Sequence, residues 1–198
     1  HTVRWDSTGI ELACEPLPRA SKPLSPTVPP SRMEFDVIQG DIAAQSADAL
    51  VNAANTSLRM GSGVAGALKR AADSGIDDEA AAKGPVALGG VATTDAYALD
   101  ADYVVHAAAM PAGGESTAGS IRDATGNALA EADALDCESV VLPALGCGIA
   151  GFDFDEGVRI ICEELAAFEP ESLVDVRLIA YDDGEFERMR EIAAEVHA

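Results

Sequence analysis

The chain of 198 residues carries 34 acidic against 13 basic side chains, a formal net charge of -21. That length supports one well-buried core rather than two, and that balance excludes a protein that holds nucleic acid by matching phosphates with lysine and arginine. Any phosphate bound here is expected to rest on backbone groups.

Lysine occurs only at Lys22, Lys69 and Lys83, while Asp, Glu and Ala abound. Acid excess with scarce lysine fits adaptation to a salt-rich cytoplasm, where screening over about 3 Å at 1 M salt removes the self-repulsion of so many carboxylates. The melting temperature is therefore expected to rise steeply with molar KCl, and a flat salt series in thermal melts would refute the idea. Cys14, Cys137, Cys147 and Cys162 show no CxxC and no paired metal spacing, so reduced thiols and no metal are expected. No apolar run approaches the roughly 20 residues needed to span a membrane. The composition reads as a cytoplasmic monomer that carries no cofactor.

Residues 1–32 differ in kind from the rest. The stretch "CEPLPRASKPLSPTVPPSR", Cys14 to Arg32, crowds prolines without helical or strand periodicity. The chain starts at His1, and Met33 stands where the first strand begins, so residues 1–32 read as a disordered leader, a mis-called start or sequence added for expression. Residues 33–198 then form one domain.

From Met33 onward apolar strand-like runs alternate with amphipathic patterns. The strand candidates are "FDVIQ", "DALVNAA", "YVVHAAA", "SVVLPAL" and "VRLIAY", with a weaker one at "GVATT". Helices are predicted over Val64–Ala72, Ser116–Leu135, Asp155–Phe168 and Glu185–Val196. Short, continuously apolar strands between helices signal a mostly parallel mixed sheet covered on both faces. The fold class is α/β, a three-layer α/β/α sandwich.

In such sheets ligands bind where strand ends enter helices, because helix N-termini offer unpaired N–H groups and partial positive charge. Three such junctions stand out. In "IQGDIAA", Asp41 either caps the next helix or accepts a hydrogen bond in a cleft. In "VNAANTSLRMGSGVAGALKRA", Asn52 and Asn55 leave a strand, and Gly61 and Gly63 bracket Ser62 before a helix. That pattern is either a pyrophosphate cradle with amides for sugar hydroxyls, or a glycine-rich helix entry tied down by asparagine. In "VVLPALGCGIAGFD", Gly146, Gly148 and Gly151 space as G-x-G-x-x-G, which invites a dinucleotide-binding reading. A Rossmann domain carries that motif after its first strand, with an acidic partner about 20 residues on; here it follows the next-to-last strand. A nicotinamide-dependent oxidoreductase is a remote alternative.

The segments "GDI", "ALVNAANTSLRMGSGVAGALKRAA", "YVVHAAA", "SVVLPALGCGIAGF" and "LIAYDD" together resemble, in order and spacing, the macrodomain, an ADP-ribose-binding module. The resemblance runs from about Met33 to the C-terminus. It implies that Asp41 hydrogen-bonds the adenine amino group, with Ile42 beside it, and that Tyr181 lies against adenine. It further implies that Asn55 contacts the distal ribose. The turn Gly61, Ser62, Gly63, Val64, Ala65 and the loop Gly146, Cys147, Gly148, Ile149, Ala150 would close over the diphosphate and distal ribose from either side.

The same resemblance bears on catalysis. One hydrolase branch of the family places an aspartate where Ala65 stands. A second uses a lysine near the end of the middle strand, where "HAAAM" stands, and an aspartate where Ala150 stands. With neither base present, hydrolysis of ADP-ribosyl esters, O-acetyl-ADP-ribose or ADP-ribose-1''-phosphate would depend on a water held by Asn55 and the ligand's own phosphate. General acid–base help is worth roughly 10²–10⁴ in rate, so a slow hydrolase is the leading expectation and a non-catalytic reader of ADP-ribosylated partners the alternative. His106, within small apolar residues, reads as a satisfied buried histidine. Cys147 has no histidine placed to activate it, so its backbone rather than its thiol is expected to matter.

Overall fold

The structure, a computed structural model, describes residues 34–148 and 150–197; residues 1–32 and Ile149, both subjects of expectations above, lie outside them. The elements follow in the order β1 Asp36–Gln39, β2 Ala49–Asn55, α1 Gly63–Ala71, α2 Ile76–Lys83, β3 Val91–Asp95 and β4 Tyr103–Met110. They continue with α3 Ala118–Ala134, β5 Ser139–Pro143, α4 Phe154–Ala167, β6 Asp175–Ala180 and α5 Asp183–His197. A single 3-10 turn, Ile42–Ala44, follows β1.

The sheet runs in the order β1-β6-β5-β2-β4-β3. Every neighbouring pair is parallel except β3 with β4. The antiparallel edge strand is the weak "GVATT" candidate. The three-layer sandwich is thus as expected, because strands buried on both faces need no alternation of apolar with polar residues.

β2 shows how one run feeds separate cores on the two faces of the sheet. Ala49 and Val51 join the large core under α3, α4 and α5, which also holds Val105, Ile121, Leu129, Ile161 and Met189. Leu50 points the other way, into a smaller core with Ile42, Leu68, Ile76, Val104 and Ile179 beneath α1 and the 3-10 turn. Successive side chains alternate across the sheet, so the apolar run is the sum of two interleaved faces.

Helix α2 was not anticipated. Its sequence, IDDEAAAK, buries only Ile76 and Ala80 and so shows little periodicity. It is held at its ends instead: Asp77 accepts from the Met60 N–H at 2.7 Å and from Lys69 Nζ at 2.6 Å. Acids in the first turn and Lys83 in the last also favour the helix dipole. No described helix is long and apolar enough to cross a membrane.

Candidate functional site

Four strand ends, those of β1, β2, β5 and β6, bring the unusual junctions to one edge of the sheet. At the first, the Gly40 N–H donates to the Ala180 carbonyl at 2.9 Å, tying the end of β1 to the end of β6. Asp41 caps the 3-10 turn, with Oδ1 accepting from the Ala43 N–H at 2.9 Å. Among the described residues nothing donates to Oδ2, so capping occupies one oxygen and leaves the other for a ligand. Ile42 is buried in the smaller core.

At the end of β2 the register against β4 slips between Ala54 and Asn55, and Asn55 turns into the following loop. Its Oδ1 accepts from the Ser57 N–H at 2.9 Å and the Ser57 hydroxyl at 2.6 Å. The amide oxygen therefore fixes the loop, and the Nδ2 donor is the part left over. Gly61, Ser62 and Gly63 then lead into α1. Ser62 caps without a side-chain bond, Gly63 sits at φ 61, and the first helical bond runs from the Gly66 N–H to the Ser62 carbonyl. The amides of Gly63, Val64 and Ala65 precede that bond, the usual unpaired donors of a helix start.

The β5 junction is packed from behind. Gly146 lies at φ 76, where a Cβ would stand 2.7 Å from Ser116 Oγ and 2.9 Å from Ile121 Cγ1. The Cys147 sulfur is tucked against Gly157 of α4, and burial pushes its thiol up to about 12. A thiol held so far above neutrality is no nucleophile. Gly148, by contrast, faces open space, with no atom within 4 Å of a Cβ built there. At the end of β6, Tyr181 is 77% exposed and its N–H donates to Glu185 Oε2 at 3.0 Å.

These junctions enclose a cleft of two chambers. The first, of about 400 Å³, is bounded by Asp41, Ile42, Ala67, Arg70, Phe154 and Tyr181, among others. The second, of about 300 Å³, is bounded by Asn55, Arg59, Gly61, Ser62, Ala65 and Ala150, among others. Gly63, Val64, Ala144 and Gly148 line both, so the chambers meet between the start of α1 and the glycine loop after β5. Gly146 lines the second chamber and Cys147 the first. Arg59, Arg70 and Phe154 are wall residues that sequence reasoning missed.

Asn52 does not join Asn55. It is buried in the sheet, and its amide lies 2.9 Å from His106 Nδ1, while His106 Nε2 lies 3.0 Å from Thr94 Oγ1. With the Asn52 amide donating to Nδ1, the proton sits on Nε2 and is donated to Thr94. Burial lowers the His106 pKa to about 4. This is a neutral, internally bonded imidazole, and it lines neither chamber. Among the described residues the second chamber has no carboxylate or imidazole in its wall. No group of His, Cys, Asp and Glu among the described residues could hold a metal ion.

The Macro domain family model matches residues 51–161. An uncharacterized protein of Mycobacterium tuberculosis is 38% identical over 153 residues, covering 77% of this chain and 43% of its own length. This chain thus spans less than half of that relative. One from Saccharolobus solfataricus is 36% identical over 167 residues, covering 82% of this chain and 94% of its own length. Among solved structures, a Trypanosoma brucei macrodomain in complex with ADP-ribose superposes with a TM-score of 0.72 at 26% identity, covering 78% of this chain and 67% of that one. An Oceanobacillus iheyensis macrodomain with ADP superposes with a TM-score of 0.73 at 20% identity over 84% of this chain and 95% of its own, a likeness of fold.

Proposed function

The chain belongs to the Macro domain family, and from that premise we propose that its cleft binds ADP-ribose. The observation that carries the reading is the pair of chambers joined at Gly63, Val64, Ala144 and Gly148. A diphosphate at the junction would meet the free amides that open α1, while its two nucleoside-like ends fill the chambers. Backbone donors act at short range, so an acidic chain can hold an anion there despite its overall field.

In the first chamber Asp41 Oδ2 takes the adenine amino group, and Tyr181 and Phe154 offer aromatic faces, each stacking contact contributing on the order of 1 kcal/mol. In the second, Asn55 Nδ2 donates to the distal ribose. Asp41→Asn is expected to keep the cap through its amide oxygen and to set an NH₂ against the adenine amino group. The loss should be about 1.5–3 kcal/mol in ADP-ribose affinity, the scale of a hydrogen bond to a charged group. A nucleotide-free ribose phosphate should lose far less, and equal losses in calorimetry would refute the adenine role.

The distal chamber argues for reading rather than fast chemistry. Asn55 has committed its oxygen to Ser57 and its amide takes up no proton, so water attack at the distal ribose lacks a protein base among the described residues. Titrating the full chain with ADP-ribose in molar KCl, then incubating it with O-acetyl-ADP-ribose and a mono-ADP-ribosylated protein, tests this. Binding with negligible release is expected. Rapid release would overturn the reader assignment, and absence of binding would overturn the ligand.

A further inference from the structure

The lysines and arginines among the described residues are almost all paired with acids. Among the described residues Lys69 pairs with Asp77 at 2.6 Å, Lys83 with Glu79 at 2.9 Å, Arg122 with Glu164 at 3.0 Å and Arg159 with Glu195 at 2.6 Å. Arg177 holds Asp175, Arg188 holds Asp155 and Glu191, and Arg190 holds Glu187. Among the described residues only the cations Arg59 and Arg70 have no described carboxylate within ion-pairing distance. With 34 acids in the chain against 13 bases, a cation without a partner is the exception.

Both exceptions line the cleft, one in each chamber. They also flank the same turn. Arg59 stands two residues before Gly61, and Arg70, reaching back along α1, brings Nη1 to 3.2 Å from a Cβ built at Gly66. That same point lies 2.9 Å from the Gly61 carbonyl oxygen. Asp77, an acid whose pKa the Arg59 charge helps to lower, already accepts from Lys69 and the Met60 amide. Long helical side chains lean toward the N-terminus of their helix, so the exposed Arg70 lies along α1 toward the Gly61 turn and forms part of the wall of the first chamber.

We propose that Arg59 and Arg70 form a two-sided guanidinium clamp on the diphosphate, and that it makes the cleft selective for anionic nucleotides over neutral nucleosides. The proposal rests on the ADP-ribose reading. Its physical logic is local inversion of sign: a net charge of -21 repels an approaching phosphate at long range, and two unpaired guanidiniums at the mouth make the last few ångströms attractive. Each fork can give two parallel donors to phosphate oxygens. The amides of Gly63, Val64 and Ala65 then seat the group that the arginines attract.

The test compares wild type, Arg59→Gln, Arg70→Gln, the double variant and the two Arg→Lys variants with three probes, ADP, ADP-ribose and adenosine, over a KCl series. Each Gln variant should weaken ADP and ADP-ribose about tenfold, the lower end for a hydrogen bond to a charged group, and leave adenosine within about twofold. The Lys variants should fall between, keeping charge but losing the fork. Rising KCl should weaken ADP binding more in wild type than in the double variant, since screening acts on the term the variants lack. Unchanged ADP affinity, or adenosine weakened as much as ADP, overturns the clamp. A wild type that takes ADP in an arginine-dependent way but refuses ADP-ribose leaves the clamp standing and overturns only the ligand reading.

Discussion

Gly148→Val is expected to weaken ADP-ribose binding at least about a hundredfold, or 2.7 kcal/mol, with the melting temperature held near that of wild type. Gly148 lines both chambers, and a Cβ there meets no atom within 4 Å. It is also not among the glycines with positive φ. A valine side chain would therefore extend into the shared space, where the diphosphate is proposed to lie, without touching the protein behind it. Other glycines make poorer probes. Gly63→Val would combine blocked approach with backbone strain at φ 61, and Gly146→Val would drive a methyl-bearing carbon into Ser116 and Ile121. Calorimetric titration and a thermal melt of Gly148→Val check the two halves of the expectation. Retained binding would remove the diphosphate from the junction.

The second large effect concerns acid. His106 is fully buried, and burial holds its pKa near 4 against 6.5 in the unfolded chain. Between those values the unfolded chain binds the extra proton, so the stability that neutral His106 permits is complete above pH 6.5 and is lost as pH falls toward 4. The gap corresponds to about 3 kcal/mol. Protonating Nδ1 would also set a second donor against the Asn52 amide. Denaturant unfolding of His106→Gln and wild type at pH 7, 5.5 and 4.5 in molar KCl checks this. The variant should lose less stability across the window by about that amount. Parallel curves would refute it. The carboxylates of Asp77 and Glu79, whose pKa values are lowered by partners that include Lys69 and Lys83 respectively, lose their contribution at still lower pH.

The sequence made the sheet legible because its strands are short, continuously apolar and separated by helices, a pattern with few other solutions. Even the antiparallel edge left a trace, since β3 pairs on one side only and carries Thr93 and Thr94. What escaped was held by contacts across the chain. Helix α2 owes its place to Asp77 reaching Met60 and Lys69, and nothing in IDDEAAAK announces that. The two asparagines were separable in principle: three residues apart on a strand, Asn52 and Asn55 fall on opposite faces. Asn52 went to the core with His106. Phe154 reaches the cleft from a segment whose closeness only the folded sheet provides, whereas Arg59 and Arg70 flank the predicted turn in sequence but stand outside its glycine pattern. Their charge or ring gave no local signal, since an arginine in an acid-rich sequence reads as a surface ion pair.

The cores are unequal, and the wall of the cleft formed by Ile42, Val64, Ala65 and Ile179 belongs to one much smaller than the slab under α3, α4 and α5. A thin layer opens by local unfolding more readily than the whole molecule, so the ligand-facing half of the protein is also the half with the most freedom to give up. Occupancy of the cleft then acts as a brace. By mass action it suppresses openings of α1, while the slab of α3, α4 and α5 behind the sheet goes on exchanging at its own rate. The division of labour lies in stiffness: one face of the sheet is set by packing alone, and the other would be completed by the ligand proposed for it.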